Sequence, residues 1–383
     1  MKTSMKLILG LLLTALSLQG FAQKPEPVYS FIRQTHDFDW YEQQAKAWKQ
    51  EIDRGTKDKM AWVYFFKANR YAKFTDEKKW ESKAGSYFIT QDKIIKLAEK
   101  AIPKTFECYF LKSNDDEAGN GVGESNIMKA QALRPYDPLI LPWLMNYYQF
   151  KNDKTNIEIV SKKWLESNEM PQEILTTAYN NLVSLEPNAI LLTNGDNDTY
   201  PYWVLQNARK LRTDVTVLNI SLGLINPYRE RLFGESGIPQ LVMKNDSCRR
   251  SEFLVTHVIE NVHDKPIYVG VFTDQDYYKS YADNMYLIGL SYKYSKKAFD
   301  NIAVLRNNVE NKFMLDFLRN SFYNNYAQSA VNQMNTGYLA LFLKLYEHYE
   351  ACGETQKAER LKEIAKKVAE NGGSEDWMKY FEK

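Results

Sequence analysis

Two aspartates at alternate positions, Asp196 and Asp198, are the residues of this sequence whose chemistry is easiest to formulate. Carboxylates with this spacing could hold a divalent cation, and the cation could hold a nucleotide sugar, as the DxD pair of glycosyltransferases does. The surrounding segment 193–199 contains no Lys or Arg that could neutralise a phosphate. Direct binding of a phosphate without a metal is therefore not expected.

The segment 193–199 lies between elements that predict a βαβ unit. AILLTN (189–194) and VTVLNISL (215–222) are short apolar runs, and PYWVLQNARKL (201–211) between them is amphipathic at helical spacing. Two strands that are connected by a single crossover helix lie parallel to each other in the sheet. The segment then follows the carboxyl end of the first strand, where open α/β sheets bind ligands.

Three interpretations of this segment stay open, and helix capping is favoured among them. Asp198 or Thr199 would cap the helix with Pro201 in its first turn, while Asn194 and Gly195 would adopt positive φ in a tight turn. The second interpretation is a site for an uncharged ligand or a peptide, and the third is metal-assisted transfer.

The candidate residues divide into two groups by expected role. Those that could bind a ligand are Asn194, Asp196, Asn197, Asp198, Tyr200, Gln206 and Asn219. Those expected to be structural are Gly195, Thr199, Pro201, Arg212 and Asp214, the last two as a local ion pair. No catalytic residue, cofactor or metal site is predicted, because the sequence has no GxSxG, Walker, GxGxxG, SxxK or HExxH motif.

The rest of the chain predicts helices on both sides of this α/β region. Residues 37–74 carry aromatic and apolar residues at helical spacing around a polar break at 54–59, and residues 126–187 repeat such segments. Shorter patterns predict a helix at 91–101, an extended segment at 105–112, a strand at 267–272, and weaker strands at 287–295 and 302–306. The expected fold class is α/β plus α, with degenerate tetratricopeptide-like hairpins flanking a small parallel βαβ domain.

These patterns predict the boundaries of six segments. They are a signal peptide at 1–22, helical hairpins at 23–112, an acidic and glycine-containing linker at 113–125, a helical region at 126–187, an α/β domain at 188–312 and C-terminal helices at 313–383.

The first 22 residues predict export. A basic start precedes an apolar run at 7–18, too short to span a bilayer, and Gly20 and Ala22 suit cleavage before Gln23. No cysteine follows that run closely, so we expect a periplasmic or secreted product that is not a lipoprotein. The three cysteines, Cys108, Cys248 and Cys352, allow at most one disulfide, and we expect all three to be small buried residues.

Charge excludes two classes of partner. The formal net charge is +2, and Lys2 and Lys6 within the predicted leader account for it. A neutral mature chain has little electrostatic attraction for nucleic acid or an anionic membrane. No nucleic-acid partner and no direct membrane insertion are therefore expected, and the oligomeric state is not predicted.

The segment 189–232 also carries a family resemblance. Its strand, the TNGDNDT loop, the helix with Gln206, the Arg212 and Asp214 pair and the strand ending NISL resemble the exported C-terminal region of bacterial membrane proteins related to protein O-mannosyltransferases. The resemblance extends over roughly 180–380. It implies an appended module without the membrane half in which glycosyl transfer would be expected. The N-terminal hairpins resemble exported bacterial tetratricopeptide proteins.

Together these features predict a non-catalytic exported protein that binds a peptide or protein partner in the cell envelope. The aromatic residues Trp143, Tyr147, Tyr148 and Trp164 either line a concave docking surface or pack between helices. The alternative function is a carbohydrate-binding or glycosyl-transfer-associated protein that uses the loop of Asp196 and Asp198.

Overall fold

The chain forms two compact units. The computed structural model describes residues 25–85, 87–114, 122–242, 250–320 and 327–381, and of 122–124 only the backbone. The predicted signal peptide, Cys248 and most of the acidic linker lie outside the described residues. One unit comprises Met1–Phe31 and His36–Pro135, and the other comprises Ile32–Thr35 and Tyr136–Lys383.

The described part of the first unit is helical. Its helices are α1 (Phe38–Asp53), α2 (Met60–Thr75), α3 (Glu77–Ser82), α4 (Gln91–Ala101), α5 (Phe106–Lys112) and α6 (Val122–Leu133). The paired helices predicted at 37–74 are confirmed, with Asp37 capping the first by accepting a hydrogen bond from the Trp40 amide at 2.8 Å. The relation of these helices to tetratricopeptide repeats stays a prediction.

Two boundaries in the first unit differ from those predicted. The segment 105–112 was expected to be extended and is helix α5, because Thr105 caps it by accepting from the Cys108 amide at 3.3 Å and its apolar residues then fall on one buried side. Helix α6 begins at Val122, inside the segment predicted as linker.

Helices make up most of the second unit. They are α7 (Leu141–Lys151), α8 (Lys154–Glu166), α9 (Gln172–Ser184), α10 (Tyr200–Arg209), α11 (Ile220–Gly223), α12 (Asn226–Ser236), α13 (Ser251–Asn261), α14 (Asn301–Asn311), α15 (Gln328–Asn335), α16 (Leu339–Ala351) and α17 (Thr355–Asn371). Helix α14 contains residues 302–306, which were predicted as a weak strand. Asp300 caps it by accepting from the Ala303 amide at 3.0 Å.

One mixed sheet lies in the second unit. Its strands are β1 (Ile190–Thr193), β2 (Thr216–Asn219), β3 (Ile267–Gly270), β4 (Met285–Leu287) and β5 (Ser291–Tyr294). Their order is β2-β1-β3-β5-β4. Strand β1 pairs in parallel with β2 and β3, which confirms the βαβ unit, whereas β5 runs antiparallel to β3 and β4. The parallel arrangement predicted from sequence thus covers β1, β2 and β3, and the predicted α/β domain also contains β4 and β5, which form a tight hairpin instead of following a crossover helix.

The core of the second unit explains why β1 is an unbroken apolar run. Ile190, Leu191 and Leu192 are fully buried in the middle of the sheet, and helices α12 and α13 contribute to the core around Ile190 and Leu192. A strand covered on both faces has no polar side to alternate. A separate core is formed mainly by α14, α16 and α17.

The structure also locates the aromatic and cysteine side chains singled out from sequence. Tyr148 and Trp164 are buried, in agreement with the alternative that they pack between helices, whereas Trp143 and Tyr147 are partly exposed. Cys108 is buried and Cys352 is exposed, contrary to the expectation for Cys352, and both are free thiols. Among the described residues, no helix combines the length and apolarity needed to cross a membrane.

Candidate functional site

The loop that links β1 to α10, residues 194–199, holds the two candidate carboxylates. The Asp198 side chain points back into this loop and is buried. Its Oδ1 accepts from the Gly195 amide at 2.6 Å, and its Oδ2 accepts from the Asn194 amide at 3.1 Å. Asp198 therefore closes the loop and does not cap helix α10.

Burial determines the protonation of Asp198. Desolvation raises the pKa of its carboxyl to about 6, although the backbone amides of Asn194 and Gly195 favour the charged form, and the nearby Asp196 adds to the rise. The folded state therefore binds a proton here at a pH where an unfolded aspartate has lost it.

The start of α10 is stabilised by the backbone and not by the predicted caps. Thr199 occupies the cap position without a capping side-chain bond, and the Asp196 carbonyl accepts from the amides of Thr199 at 3.3 Å and Tyr200 at 3.0 Å. Pro201 lies in the first turn, as predicted. The prediction that Asp198 or Thr199 caps with its side chain is wrong, because Asp198 bonds to amides of the loop and Thr199 bonds to side chains at the ends of β1 and β2.

A buried polar cluster joins the ends of β1 and β2 beneath the loop. Thr193 Oγ1 and Thr199 Oγ1 are 2.8 Å apart, and the Asn219 amide donates to Thr199 Oγ1 at 2.9 Å and to the Asn194 carbonyl at 3.2 Å. The Asn219 Oδ1 accepts from the Leu222 amide at 2.9 Å and so caps α11. These bonds satisfy groups that burial would otherwise leave unpaired.

Asn194 and Gly195 do not adopt the positive φ that was expected of them. Glycine is favoured at 195 for a different reason. A Cβ there would come within 3.0 Å of Asp198 Oδ1, the atom that accepts from the Gly195 amide. A side chain would push the carboxylate away from that amide.

Asp196 lies at the surface of the loop, in contrast to Asp198. The residue is exposed, yet enough protein surrounds its carboxyl for desolvation to raise the pKa, while Arg33 and a hydrogen bond from Tyr200 oppose the rise. The buried Tyr200 hydroxyl also accepts from Asn146 Nδ2 at 2.9 Å. Burial raises the pKa of Tyr200 as well, so its hydroxyl stays protonated and can donate to Asp196.

Asn197 contacts a segment far away in sequence. Its Nδ2 donates to the main-chain carbonyl of Ile32 at 2.7 Å. The next carbonyl in that segment, of Arg33, accepts from Ser329 Oγ at 3.3 Å. The loop thus holds a stretch of this chain's own backbone.

Three other predicted residues lie near the opposite ends of the strands. Gln206 Nε2 donates to the carbonyls of Arg212 at 2.9 Å and Val215 at 2.8 Å. Arg212 forms a two-pronged ion pair with Asp214, with both N···O distances 2.9 Å. Its guanidinium also donates to three carbonyls at and just after the end of α9, those of Leu182, Leu185 and Glu186. The arrangement fastens α9 to the start of β2.

The carboxylates do not form a metal site together with other ligands. Within the part of the chain that the structure describes, no group of three or more His, Cys, Asp or Glu side chains could hold a metal ion. The two aspartates face different surroundings, Asp198 towards the loop amides and Asp196 towards Arg33 and Tyr200.

Two clefts in the second unit were not found from sequence. A polar cleft of about 420 Å³ borders the edge strand β2 and is lined by Gln206 together with other side-chain amides, those of Gln149, Asn152 and Asn207. A larger groove of about 760 Å³ lies among α9, the end of α14 and α17. We call it the C-terminal groove. The sequence feature that marks it is the apolar run FML at 313–315 outside any predicted strand.

Comparison with known proteins gives one partial match. Residues 174–232 match the family model described as TMEM260-associated domain 2. The matched segment includes β1, the loop 194–199, α10 and β2. No curated protein and no solved structure matches the chain.

Proposed function

We propose that this chain is a non-catalytic exported protein that binds a peptide or protein partner in the cell envelope through its C-terminal groove. The observation that carries this proposal is the groove's size and lining. Its volume of about 760 Å³ is within the range of ligand sites. Phe317, Leu361 and Ile364 are buried beneath it, and Met314 at its edge is 49% exposed.

Charges of both signs surround this apolar floor. Glu310 accepts from Tyr349 at 2.7 Å and from Lys357 at 2.9 Å, while Asp316 and Arg360 are exposed. Burial raises the pKa of Glu310, but the bonds from Lys357 and Tyr349 outweigh it, so the pKa is lowered and the carboxylate stays charged. An apolar side chain flanked by charged residues of both signs, as in a peptide segment, is complementary to this lining.

The location in the cell envelope rests on the leader-like sequence of the first 22 residues. Recovery of a processed chain that begins at Gln23 in the periplasmic fraction supports it. A chain that retains Met1, or that is recovered only in detergent, contradicts it.

The test of the groove compares two variants of the full chain. Met314→Lys introduces a charge at the groove, and Phe253→Lys does the same at a residue of similar exposure, 45%, on helix α13 away from the groove. Crosslinking in an envelope fraction is expected to capture a partner with the wild type and Phe253→Lys and to lose it with Met314→Lys. The proposal is contradicted if Met314→Lys and Phe253→Lys capture the partner equally. It is also contradicted if neither the wild type nor either variant captures a partner.

A second candidate is a carbohydrate-binding or glycosyl-transfer-associated protein. The match at 174–232 and the resemblance of the TNGDNDT loop to proteins related to O-mannosyltransferases favour it. The polar cleft beside Gln206 offers side-chain amides, which suit hydroxyl groups because each amide both donates and accepts. Asp196 is the loop carboxylate left at the surface for such a ligand.

Thermal denaturation with neutral oligosaccharides tests this second candidate. A rise in Tm that increases with sugar concentration and is lost in Asp196→Ala supports use of the loop. The same rise lost in Asn207→Ala but kept in Asp196→Ala assigns the sugar to the cleft. No rise with any sugar contradicts this candidate.

A further inference from the structure

The loop 194–199 already holds a short peptide segment, which is part of this chain. Residues Ile32–Thr35 group with the second unit although their sequence neighbours on both sides group with the first. Residues 31–33 form a turn, and the segment continues without regular structure to 37. We call Ile32–Thr35 the strap.

The contacts of the strap are those with which proteins recognise peptides. Asn197 Nδ2 donates to the Ile32 carbonyl at 2.7 Å, and Ser329 Oγ at the start of α15 donates to the Arg33 carbonyl at 3.3 Å. Two consecutive main-chain carbonyls are thus bound by side chains from two different elements. Bonds to the main chain do not depend on which side chains the bound segment carries.

The strap carries one cationic side chain, that of Arg33. Only 9% of this residue is exposed, and its positive charge lies near enough to Asp196 to favour the ionised carboxylate. Asp196 itself is positioned by the hydrogen bond from Tyr200, whose hydroxyl is in turn fixed by Asn146. The loop therefore presents one amide for a backbone carbonyl and one oriented carboxylate for a cation.

We propose that the loop 194–199 and Ser329 form a peptide-recognition site that takes an arginine-bearing turn, and that Ile32–Thr35 occupies it in cis. A partner that enters this site must carry an arginine and two free main-chain carbonyls in a turn, and it must displace the strap. The site is separate from the C-terminal groove, so this inference goes beyond the function proposed above.

Covalent attachment determines how such a site behaves. A segment of the same chain competes at an effective concentration on the order of millimolar, so a free peptide at micromolar concentration does not displace it. Glycine and serine in the strap remove the charge of Arg33 from Asp196 and make the backbone more flexible. They should therefore weaken the strap's hold on the site without change to the loop, although its main-chain carbonyls remain.

The main experiment uses the full chain with Ile32→Gly, Arg33→Ser, Gln34→Gly and Thr35→Ser. The probe is a fluorescent synthetic peptide of residues 29–37, and the control peptide carries alanine in place of arginine. We expect saturable binding to this variant, at least tenfold weaker binding of the control peptide, and no binding of either at the same concentrations to the wild type. Adding Asn197→Ala to the variant should weaken binding of the arginine peptide at least tenfold.

Three results overturn the inference. They are no binding to a variant with wild-type circular dichroism, equal affinity for the two peptides, and unchanged affinity after Asn197→Ala. Met314→Lys in the groove should leave this binding unchanged, so failure here is distinguishable from failure of the proposed function.

Hydrogen exchange provides the test if the strap variant does not fold. Amides of residues 32–35 should exchange at least tenfold faster in Asn197→Ala than in the wild type. Asn261→Ala, at an exposed residue of α13, is the matched control and should leave their exchange unchanged. Unchanged exchange in Asn197→Ala, or an equal increase in both variants, overturns the inference.

Discussion

The loop 194–199 and the C-terminal groove differ in whether their sequence suggests a binding site and in whether their side chains are accessible to a ligand. The loop has the polar composition of a catalytic motif, yet Asp198, Thr199 and Asn219 beside it direct their side chains into internal hydrogen bonds. The groove has no motif, yet it leaves Met314 exposed beside a volume of about 760 Å³. Polar residues at close spacing are thus equally suited to folding a tight turn and to binding a ligand.

Asp196 and Asp198 repeat this contrast within the loop itself. Alternate positions place one carboxylate against backbone amides and leave the other at the surface. A cation needs both carboxylates directed to one point. The separation of their roles favours a structural function for Asp198 and a binding function for Asp196.

The largest expected effect is the loss of stability in Asp198→Ala. Two part-buried amide donors, of Asn194 and Gly195, lose their acceptor, so the free energy of unfolding should fall by about 2–6 kcal/mol at roughly 1–3 kcal/mol per orphaned donor. Urea denaturation measures it. Asp196→Ala is the control and should cost less than about 1 kcal/mol, because that residue is exposed. Equal losses in the two variants would remove the distinction between the carboxylates.

The next effect is the dependence of stability on pH. The folded pKa of Asp198, about 6, lies above the ordinary value of 3.8, so its stabilising contribution is complete below pH 3.8 and is lost as pH rises through 6. The difference in unfolding free energy between wild type and Asp198→Ala should therefore shrink from pH 4 to pH 7, by at most about 3 kcal/mol.

Other groups change the free energy of unfolding with pH in the opposite direction. The difference between the wild type and Asp198→Ala isolates the contribution of Asp198 from theirs. The Arg212 guanidinium and the Asn188 amide hold the pKa of Asp214 at about 2, so its contribution is present above pH 3.8 and lost as pH falls. Denaturation at several pH values measures the free energy of unfolding of the wild type and of Asp198→Ala. A difference that is constant between pH 4 and pH 7 would contradict the buried, readily protonated Asp198.

A smaller effect is expected at the groove. Met314→Ser removes an exposed side chain, so the free energy of unfolding should change by less than about 0.5 kcal/mol. Thermal denaturation of the variant beside the wild type measures this. A loss of more than 2 kcal/mol would mean that Met314 supports the core, and the groove would then resemble the loop as a structural feature.

The smallest effect, no change, is expected for divalent cations. Mg²⁺, Mn²⁺ or Ca²⁺ should leave the Tm of the wild type unchanged, because loop amides bind Asp198 while Tyr200 and Arg33 engage Asp196. A rise of several degrees that disappears in the Asp196→Ala/Asp198→Ala double variant would restore metal-assisted transfer as the leading interpretation.

The sequence by itself determined the elements whose pattern is local. Helical spacing of aromatic residues predicts α1 and α2, and apolar runs around a single helix predict the parallel pairing of β1 and β2. The prediction of an extended segment at 105–112 was wrong, because an aromatic-rich run of eight residues suits a short helix as well as a strand, and the Thr105 cap decides between them.

The tertiary structure alone decided the direction of the polar side chains and the position of the strap. Whether Asp198 faces a helix, a cation or its own loop depends on which amides the fold places within 3.1 Å of its oxygens. The bond from Asn197 to Ile32 joins residues separated by 165 positions. Sequence periodicity reports which face of an element is buried, but contacts at such separations depend on how distant elements pack, and this packing determines which of the candidate residues can meet a ligand.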